Sequence, residues 1–310
     1  MRLFFIPFLL ALIAAAPGAA IGEHRVRTSD NIELWYRVAG VEGATPIVFL
    51  HGGPGEGSQV MQALGGPALE KKVRMVYLDQ RGSGQSERPK ESKFYSLELL
   101  ESDVELIRRE LGAEKIFMLA HSAGTPIALE YAADHPELVA GLILTGAVPD
   151  LPAVVDALCD RVKAAHPDLY PKAVASASGG RKCDPFAAFP DDERQRFFDD
   201  NMFPDAAVRE RVNWLDHIPS IANSGALGGP LFEQGLFNYR FTRPERITMP
   251  LLFIAGGRDL QTAIAPQQAL AAQVRDGQVL VYPDAGHFMF ADDPERFARD
   301  VADFVHKVSR

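Results

Sequence analysis

Lys115-Ile-Phe-Met-Leu-Ala-His-Ser122-Ala-Gly-Thr-Pro126-Ile-Ala-Leu-Glu-Tyr-Ala-Ala-Asp134 is the stretch whose reading decides the fold. Lys115 to Leu119 has the apolar run of a core strand, and Thr125 to Asp134 has the composition of a helix with proline in its first turn. Between them Ser122 stands two residues after Ala120 and two before Gly124. Small residues at those positions let a strand turn sharply into a helix while the serine sits exposed on the turn, the arrangement of a nucleophile elbow. The usual pattern is Gly-x-Ser-x-Gly. Ala120 replaces the first glycine, a mild departure because the position demands smallness more than positive φ.

Outward from the elbow, strands and helices alternate in the manner of a mostly parallel sheet covered on both faces. An opening hairpin is expected over Glu23 to Thr28 and Ile32 to Val38, turning at Ser29-Asp30-Asn31. Strand Pro46 to Leu50, a glycine-rich loop, a short helix near Met61 to Lys71 and strand Val73 to Leu78 follow. Ser96 to Leu111 reads as a helix that buries Leu97, Leu100, Val104, Ile107 and Leu111. After the elbow come strand Val139 to Leu144 and then, from 149 to 245, a change of pattern: Asp, Arg, Ala and Pro are frequent and no strand is evident. This segment reads as an inserted helical cap, leaving a core of 21–148 and 246–310. The core resumes with strand Pro250 to Ala255, helix Pro266 to Val274, strand Gln278 to Tyr282 and a terminal helix with Phe297, Val301, Phe304 and Val305 on one face.

With 310 residues and 47% hydrophobic content the chain can bury a large core. A formal charge of -9 and a pI near 5.4 argue against nucleic acid or an anionic membrane surface as partner. Residues 1–20 form a separate unit: Arg2 is basic, Leu3 to Ala16 is almost wholly apolar, and Pro17-Gly18-Ala19-Ala20 offers small residues for cleavage. They read as a secretory signal peptide cut near Ala20, which implies a secreted or periplasmic protein with no stable membrane partner. The alternative, an uncleaved anchor, has an apolar run short of the roughly 20 residues of a membrane span. Cys159 and Cys183, both in the cap, either form a disulfide after export or remain two thiols.

A serine needs a base within reach and a third group to fix that base in one tautomer. Asp259 follows strand Pro250 to Ala255, and His287 follows the last strand; both therefore emerge at the sheet edge that carries Ser122, where open α/β sheets bind ligands. Their chain order is serine, acid, histidine. Asp284 is the rival acid, but only three residues before His287 it is expected to shape the loop. His121 is expected to point off the far side of the turn, packing or orienting a loop. Negative charge on a tetrahedral intermediate needs donors. The Ala123 amide is one, at the start of a helix, and the loop His51-Gly52-Gly53-Pro54-Gly55 supplies the other, with Gly53 first and Gly52 next. Nucleotide binding is excluded on sequence grounds. Gly82-Ser83-Gly84 lacks the third glycine of a dinucleotide fingerprint, where Glu87 stands, and Gly52 to Ser58 lacks the Gly-Lys of a phosphate loop. No cofactor or metal is implied.

His51-Gly52-Gly53-Pro54-Gly55, Asp79-Gln80-Arg81-Gly82-Ser83-Gly84-Gln85-Ser86 and the triad frame together resemble the prolyl aminopeptidase (proline iminopeptidase) branch of the α/β-hydrolase superfamily, across 23–148 and 246–308. The resemblance implies an α/β-hydrolase fold whose His-Gly-Gly-Pro-Gly loop builds the oxyanion hole and whose Asp-Gln-Arg-Gly loop supports the site. It also implies a helical cap with acids that receive a substrate's free amino terminus. The cap acids are Asp191, Asp192, Glu193, Asp199, Asp200 and Glu233, among which no motif selects. The elbow departs from the Gly-Gly-Ser-Trp-Gly of that branch and is closer to the Gly-His-Ser-x-Gly of esterases. The expectation is thus an exported serine hydrolase acting on a short-peptide or small-molecule substrate, first as an aminopeptidase on N-terminal proline or small residues, and alternatively as a carboxylesterase or lactonase. A non-catalytic binding module is the reading of another class, and such proteins usually lack one of the three residues retained here.

Overall fold

The computed structural model describes residues 18–178 and 180–310; most of the expected signal peptide, 1–17, lies outside the described residues. The described residues form one eight-stranded sheet: β1 Gly22–Arg27, β2 Glu33–Gly40, β3 Ile47–Leu50, β4 Arg74–Asp79, β5 Ile116–His121, β6 Val139–Thr145, β7 Leu251–Gly256 and β8 Gly277–Tyr282. Their spatial order is β1-β2-β4-β3-β5-β6-β7-β8. β1 pairs β2, and β2 pairs β4, in antiparallel fashion; the other neighbours are parallel. Every residue of β3, β5 and β7 is buried. Strands covered on both faces read as unbroken apolar runs rather than as alternation, and that is why these segments were legible as core. β1, at the edge, alternates half-buried and exposed positions.

The sheet separates two apolar layers. Ile116, Met118 and Ala120 of β5 join the layer of helices α1 (Leu97–Glu110) and α2 (Thr125–Asp134), whereas Phe117 and Leu119 face the other layer. Helices α1 and, later, α9 (Pro294–Val308) bury the stripes their spacing predicts, with Phe297, Val301, Phe304 and Val305 inward on α9. The expected helix near Met61 to Lys71 is different. Met61–Gly65 is a wider turn in which the Gly66 N–H bonds to Met61 O, running into a short α-helix at Gly66–Leu69. Pro67 has no N–H to complete the tighter pattern, and a Cβ on Gly65 would stand 2.8 Å from Met61 Sδ.

Between β6 and β7 the chain is helical: α3 Leu151–Ala165, α4 Tyr170–Ala175, α5 Asp191–Met202, α6 Ala206–Asp216 and α7 Gly228–Glu233. The segment leaves and rejoins the sheet side by side, where Asp150 bridges Arg240. It has a core of its own, around Val154, Leu158, Val162, Phe189 and Phe197. Cys159 and Cys183 are disulfide-bonded within it, with Cα atoms 5.9 Å apart, which resolves the alternatives left open by the sequence. α8 (Ile264–Ala271) links β7 to β8. No helix of the described residues is long and apolar enough to cross a membrane.

Candidate active site

All six strands from β3 to β8 run in one direction, so the loops that follow them gather at one rim. Ser122 opens the turn after β5 with φ of +49°, a left-handed conformation that non-glycine residues rarely adopt. The turn is held by close backbone approach. A Cβ on Gly124 would lie 2.5 Å from Leu50 O and 2.8 Å from His51 O, so only glycine allows β3 and the turn to meet there. Ala120 is fully buried in the sheet layer, where its methyl group packs without a comparable restriction.

The His287 ring is buried, and its Nδ1 donates to Asp259 Oδ2 at 2.8 Å. Asp259 is fixed in turn: Oδ1 accepts from the amides of Gln261 (2.8 Å) and Thr262 (2.9 Å), and Oδ2 also accepts from the Thr262 hydroxyl. With Nδ1 engaged, Nε2 is the ring atom left for exchange with a serine. Asp284, the rival acid, is exposed. Ser122 and His287 line one cavity, and among the described residues no direct hydrogen bond joins them; such bonds are often long before substrate arrives. A Cβ on Gly146, after β6, would stand 2.8 Å from His287 Cε1, so the imidazole rests on bare backbone.

His121 departs from expectation. Its ring does not turn away from the site but packs 4.7 Å, centroid to centroid, from His287, with Phe288 and Phe290 on its other sides. The Thr145 hydroxyl donates to Ala120 O and so accepts from His121 Nδ1, leaving Nε2 without a proton and, in its buried position, without a hydrogen-bond partner. Burial, reinforced by the neighbouring His287, holds this ring well below the usual histidine range, so it is neutral.

The glycine loop lies against the serine: a Cβ on Gly52 would stand 3.0 Å from Ser122 Cβ. Gly53 has φ of +109°, and among the described residues neither its amide nor that of Ala123 is taken up by the hydrogen bonds of the surrounding loops. His51 pins this loop. Its Nδ1 donates to Gly52 O at 3.0 Å and its Nε2 accepts from the Gln80 amide at 3.1 Å, while Gln80 Nε2 donates to His51 O. Burial lowers its proton affinity, consistent with the neutral tautomer these bonds require. Asp79 takes Ser58 N and Oγ on one oxygen and Gln85 N on the other. Arg81, 1% exposed, is held bidentate by Asp103 at 2.7 Å and also by Asp30. The Asp-Gln-Arg loop thus acts as a brace behind the glycine loop.

Two cavities meet at Ser122. One, of about 320 Å³, is walled by Val154, Leu158, Phe186, Phe198, Phe232 and Phe237 among others. The second, of about 350 Å³, includes Glu56, Gln195, Asn223, His121 and His287. Asp191, Glu193, Asp200 and Glu233 are exposed and Asp199 is bonded to Gln195 and Asn213; none of these five lines either cavity. Sequence reasoning did not single out Glu56, Gly146 or Gln261 at the site. Each lies just beyond a core strand or in its loop, so a search of every strand's carboxyl end would have found them.

A family model described as the alpha/beta hydrolase fold matches residues 45–294. The proline iminopeptidase of Heyndrickxia coagulans is 24% identical over 280 residues, covering 86% of this chain and 92% of its own. That of Neisseria gonorrhoeae is 31% identical over 160 residues, 51% of each chain. Among solved structures, a proline iminopeptidase-related protein from Thermus thermophilus aligns with a TM-score of 0.73 at 26% identity, covering 94% of this chain and 98% of that one. An esterase from Exiguobacterium antarcticum shares the fold, with a TM-score of 0.63 at 21% identity over 92% of this chain and 100% of its own.

Proposed function

The chain belongs to the α/β-hydrolase family and resembles its proline iminopeptidases, and from that premise we propose an exported serine hydrolase that cleaves esters of apolar, uncharged acyl groups through an acyl-Ser122 intermediate. Ser122 Oγ attacks the carbonyl carbon as its proton passes to His287 Nε2, and the Gly53 and Ala123 amides, with Gly52 close by, receive the oxyanion. Asp259 keeps the ring in the required tautomer. The bond to the leaving group then breaks as His287 returns the proton to that group; water, deprotonated by the same ring, attacks the acyl carbon, and the C–Oγ bond breaks as His287 returns that proton to Ser122 Oγ and the acid leaves.

The observation that carries the substrate class is the division of the cavity. His287 must protonate the leaving group and lines only the second lobe, so the leaving group departs there and the acyl group occupies the first. Among the described residues the first lobe is lined by no Asp, Glu, Lys or Arg. An ammonium buried there would lose its hydration without gaining a carboxylate, a penalty of several kcal/mol. A neutral apolar acyl chain incurs none. The buried disulfide Cys159–Cys183 supports export to an oxidising compartment.

Aminopeptidase action remains the second reading, favoured by the proline iminopeptidase relatives and by Glu56 in the second lobe. Purified protein assayed on short and medium acyl esters and on proline arylamide separates them: ester turnover lost in Ser122→Ala, with the arylamide untouched, is expected. Arylamide turnover exceeding ester turnover would reverse the choice. A fluorophosphonate probe should label the native chain and not the Ser122→Ala variant, and absence of labelling in folded protein would point to a binding module.

A further inference from the structure

We propose that Asn223, in the helical segment between β6 and β7, is a positioning residue that holds the Gly53 amide where the oxyanion forms. The inserted segment then does more than wall the cavity: it completes the oxyanion hole. This inference rests on the serine hydrolase reading above and adds a residue to its machinery.

The glycine loop is secured at both ends and loose between them. His51 and Gln80 bond to one another at its start, and Ser58 gives its amide and hydroxyl to Asp79 at its end. Between these points Gly53 and Gly55 hold φ of +109° and +98°. Backbone of this kind has the most conformational freedom to lose, so it keeps a single geometry only where contacts from outside fix it. The bonds within the loop, Glu56 N to Gly52 O at 3.2 Å and Gln59 Nε2 to Glu56 O at 2.6 Å, close it on itself and leave out Pro54 O. Among the described residues the hydrogen bond that reaches Pro54 O, next to Gly53, comes from Asn223 Nδ2 at 3.0 Å.

The carboxamide of Asn223 is held at both of its ends. Its Oδ1 accepts from the Gly225 amide at 2.9 Å while its Nδ2 donates to Pro54 O. A carbonyl only accepts and an amide N–H only donates, so the reversed orientation would set like against like at both ends. The group lies across the bare face of the loop. A Cβ on Gly55 would stand 2.7 Å from Asn223 Oδ1, and one on Gly53 3.3 Å from Nδ2. The turn that carries Asn223 is anchored on either side: Ala222 N donates to Ile218 O at 2.8 Å, Gly229 N donates to Gly225 O at 3.1 Å, and Leu227 is fully buried. Gly228 closes the cup, where a Cβ would rest 3.5 Å from Pro54 O. Asn223 therefore transmits a fixed position from the inserted segment to the peptide that follows Gly53, and it does so from the wall of the second lobe.

The test compares the native chain with Asn223→Ala on p-nitrophenyl butyrate or on proline p-nitroanilide, whichever the native chain turns over. Deleting an oxyanion donor costs about 10²- to 10³-fold in kcat, and a donor displaced rather than deleted should cost about 10-fold. The expected result is that fall in kcat with KM within about 2-fold. Binding of an alkyl trifluoromethyl ketone, whose adduct with Ser122 carries the oxyanion, should weaken by the same factor. Ser224→Ala, which alters the same turn without touching the loop, should keep kcat within about 2-fold. A change confined to KM would make Asn223 a wall of the lobe, and equal losses in both variants would make the turn merely structural; either result, or an unchanged kcat in Asn223→Ala, overturns the proposal. Should the Ala variant fail to fold, Asn223→Asp serves, since it can still accept from Gly225 N but brings no donor to Pro54 O. Its kcat should fall at least as far, and no fall counts against the assignment. A native chain that turns over neither substrate would remove the serine hydrolase reading, and this inference with it.

Discussion

Ala120 and Gly124 flank Ser122 evenly in sequence but meet unequal steric demands. Ala120 packs its methyl group in the core, while a Cβ on Gly124 would overlap Leu50 O. Gly124→Ala is expected to distort the serine turn, lowering stability by about 1–3 kcal/mol and activity with it; Ala120→Gly should cost only about 0.5–1 kcal/mol and leave kcat nearly intact. Thermal unfolding and steady-state kinetics of the two variants check the contrast. Asp259→Asn removes the carboxylate that holds His287 Nδ1–H, so kcat should fall about 10³- to 10⁴-fold with little change in KM or melting temperature. A loss confined to KM would show that Asp259 is not the orienting acid. The buried rings of His51 and His121 give a pH signature. Burial lowers the proton affinity of both below the ordinary 6.5. Unfolded, each takes up a proton as pH falls through about 6.5; folded, each remains neutral to lower pH. The unfolded state then binds more protons, so stability is full above about pH 6.5 and declines below it, by up to about 1.4 kcal/mol per pH unit for each ring. Urea titrations from pH 7 to pH 5 should show this slope, and His121→Asn should flatten it by one ring's share.

The site is assembled from strand ends: β3 carries the glycine loop, β5 the serine, β6 Gly146, β7 Asp259 and β8 His287. Because these positions are fixed by sheet register, the helical segment between β6 and β7 can differ in sequence without moving them. It touches the site at few points, one being the His287 amide, which donates to Met202 O at the end of α5. On the proposed reading its main contribution is the wall of the acyl lobe. Leu158 and Phe186 in that wall stand one residue before Cys159 and three after Cys183, so the disulfide ties together the two stretches that shape the lobe. Cys159→Ala with Cys183→Ala frees a loop with a sequence separation of 24, for which chain entropy alone gives about 3 kcal/mol. The expected outcome is a higher KM for long-chain acyl esters with an acetyl ester unaffected, read alongside a lower unfolding temperature. Equal changes for both esters would mean that the disulfide acts on the whole molecule rather than on the wall.

At the scale of the whole chain, much of the architecture was legible because its causes are local. Apolar runs at Ile47–Leu50 and Leu251–Gly256 announce buried parallel strands, and a Ser, an Asp and a His in the loops that follow parallel strands of one sheet must share a rim. What stayed hidden is long-range. Phe186, Phe198, Phe232 and Phe237 look like ordinary core residues until the helices converge on Ser122, and nothing in the neighbourhood of His121 in sequence tells that its ring meets His287. Asp191, Glu193, Asp199, Asp200 and Glu233 show the reverse case, prominent in sequence yet outside the cavities, while the Asp192 side chain lies outside the described residues. The amino terminus offers the last test. Ala19 N donates to Glu110 O at 3.1 Å, Arg74 Nη2 to Ala19 O at 2.8 Å, and His24 Nε2 to Ala20 O at 2.8 Å. Cleavage after Ala20, on the export proposal, removes all three, while β1 keeps its pairing with β2 from Gly22 to Arg27. Surface bonds of this kind contribute about 1 kcal/mol or less each, so the exported protein should remain folded. Its intact mass should correspond to a chain starting at Ile21, and a chain prepared from Gly18 should melt a few degrees higher, at about 2–4 °C per kcal/mol. Recovery of exported protein with residues 1–20 still attached would count against cleavage and in favour of an anchor.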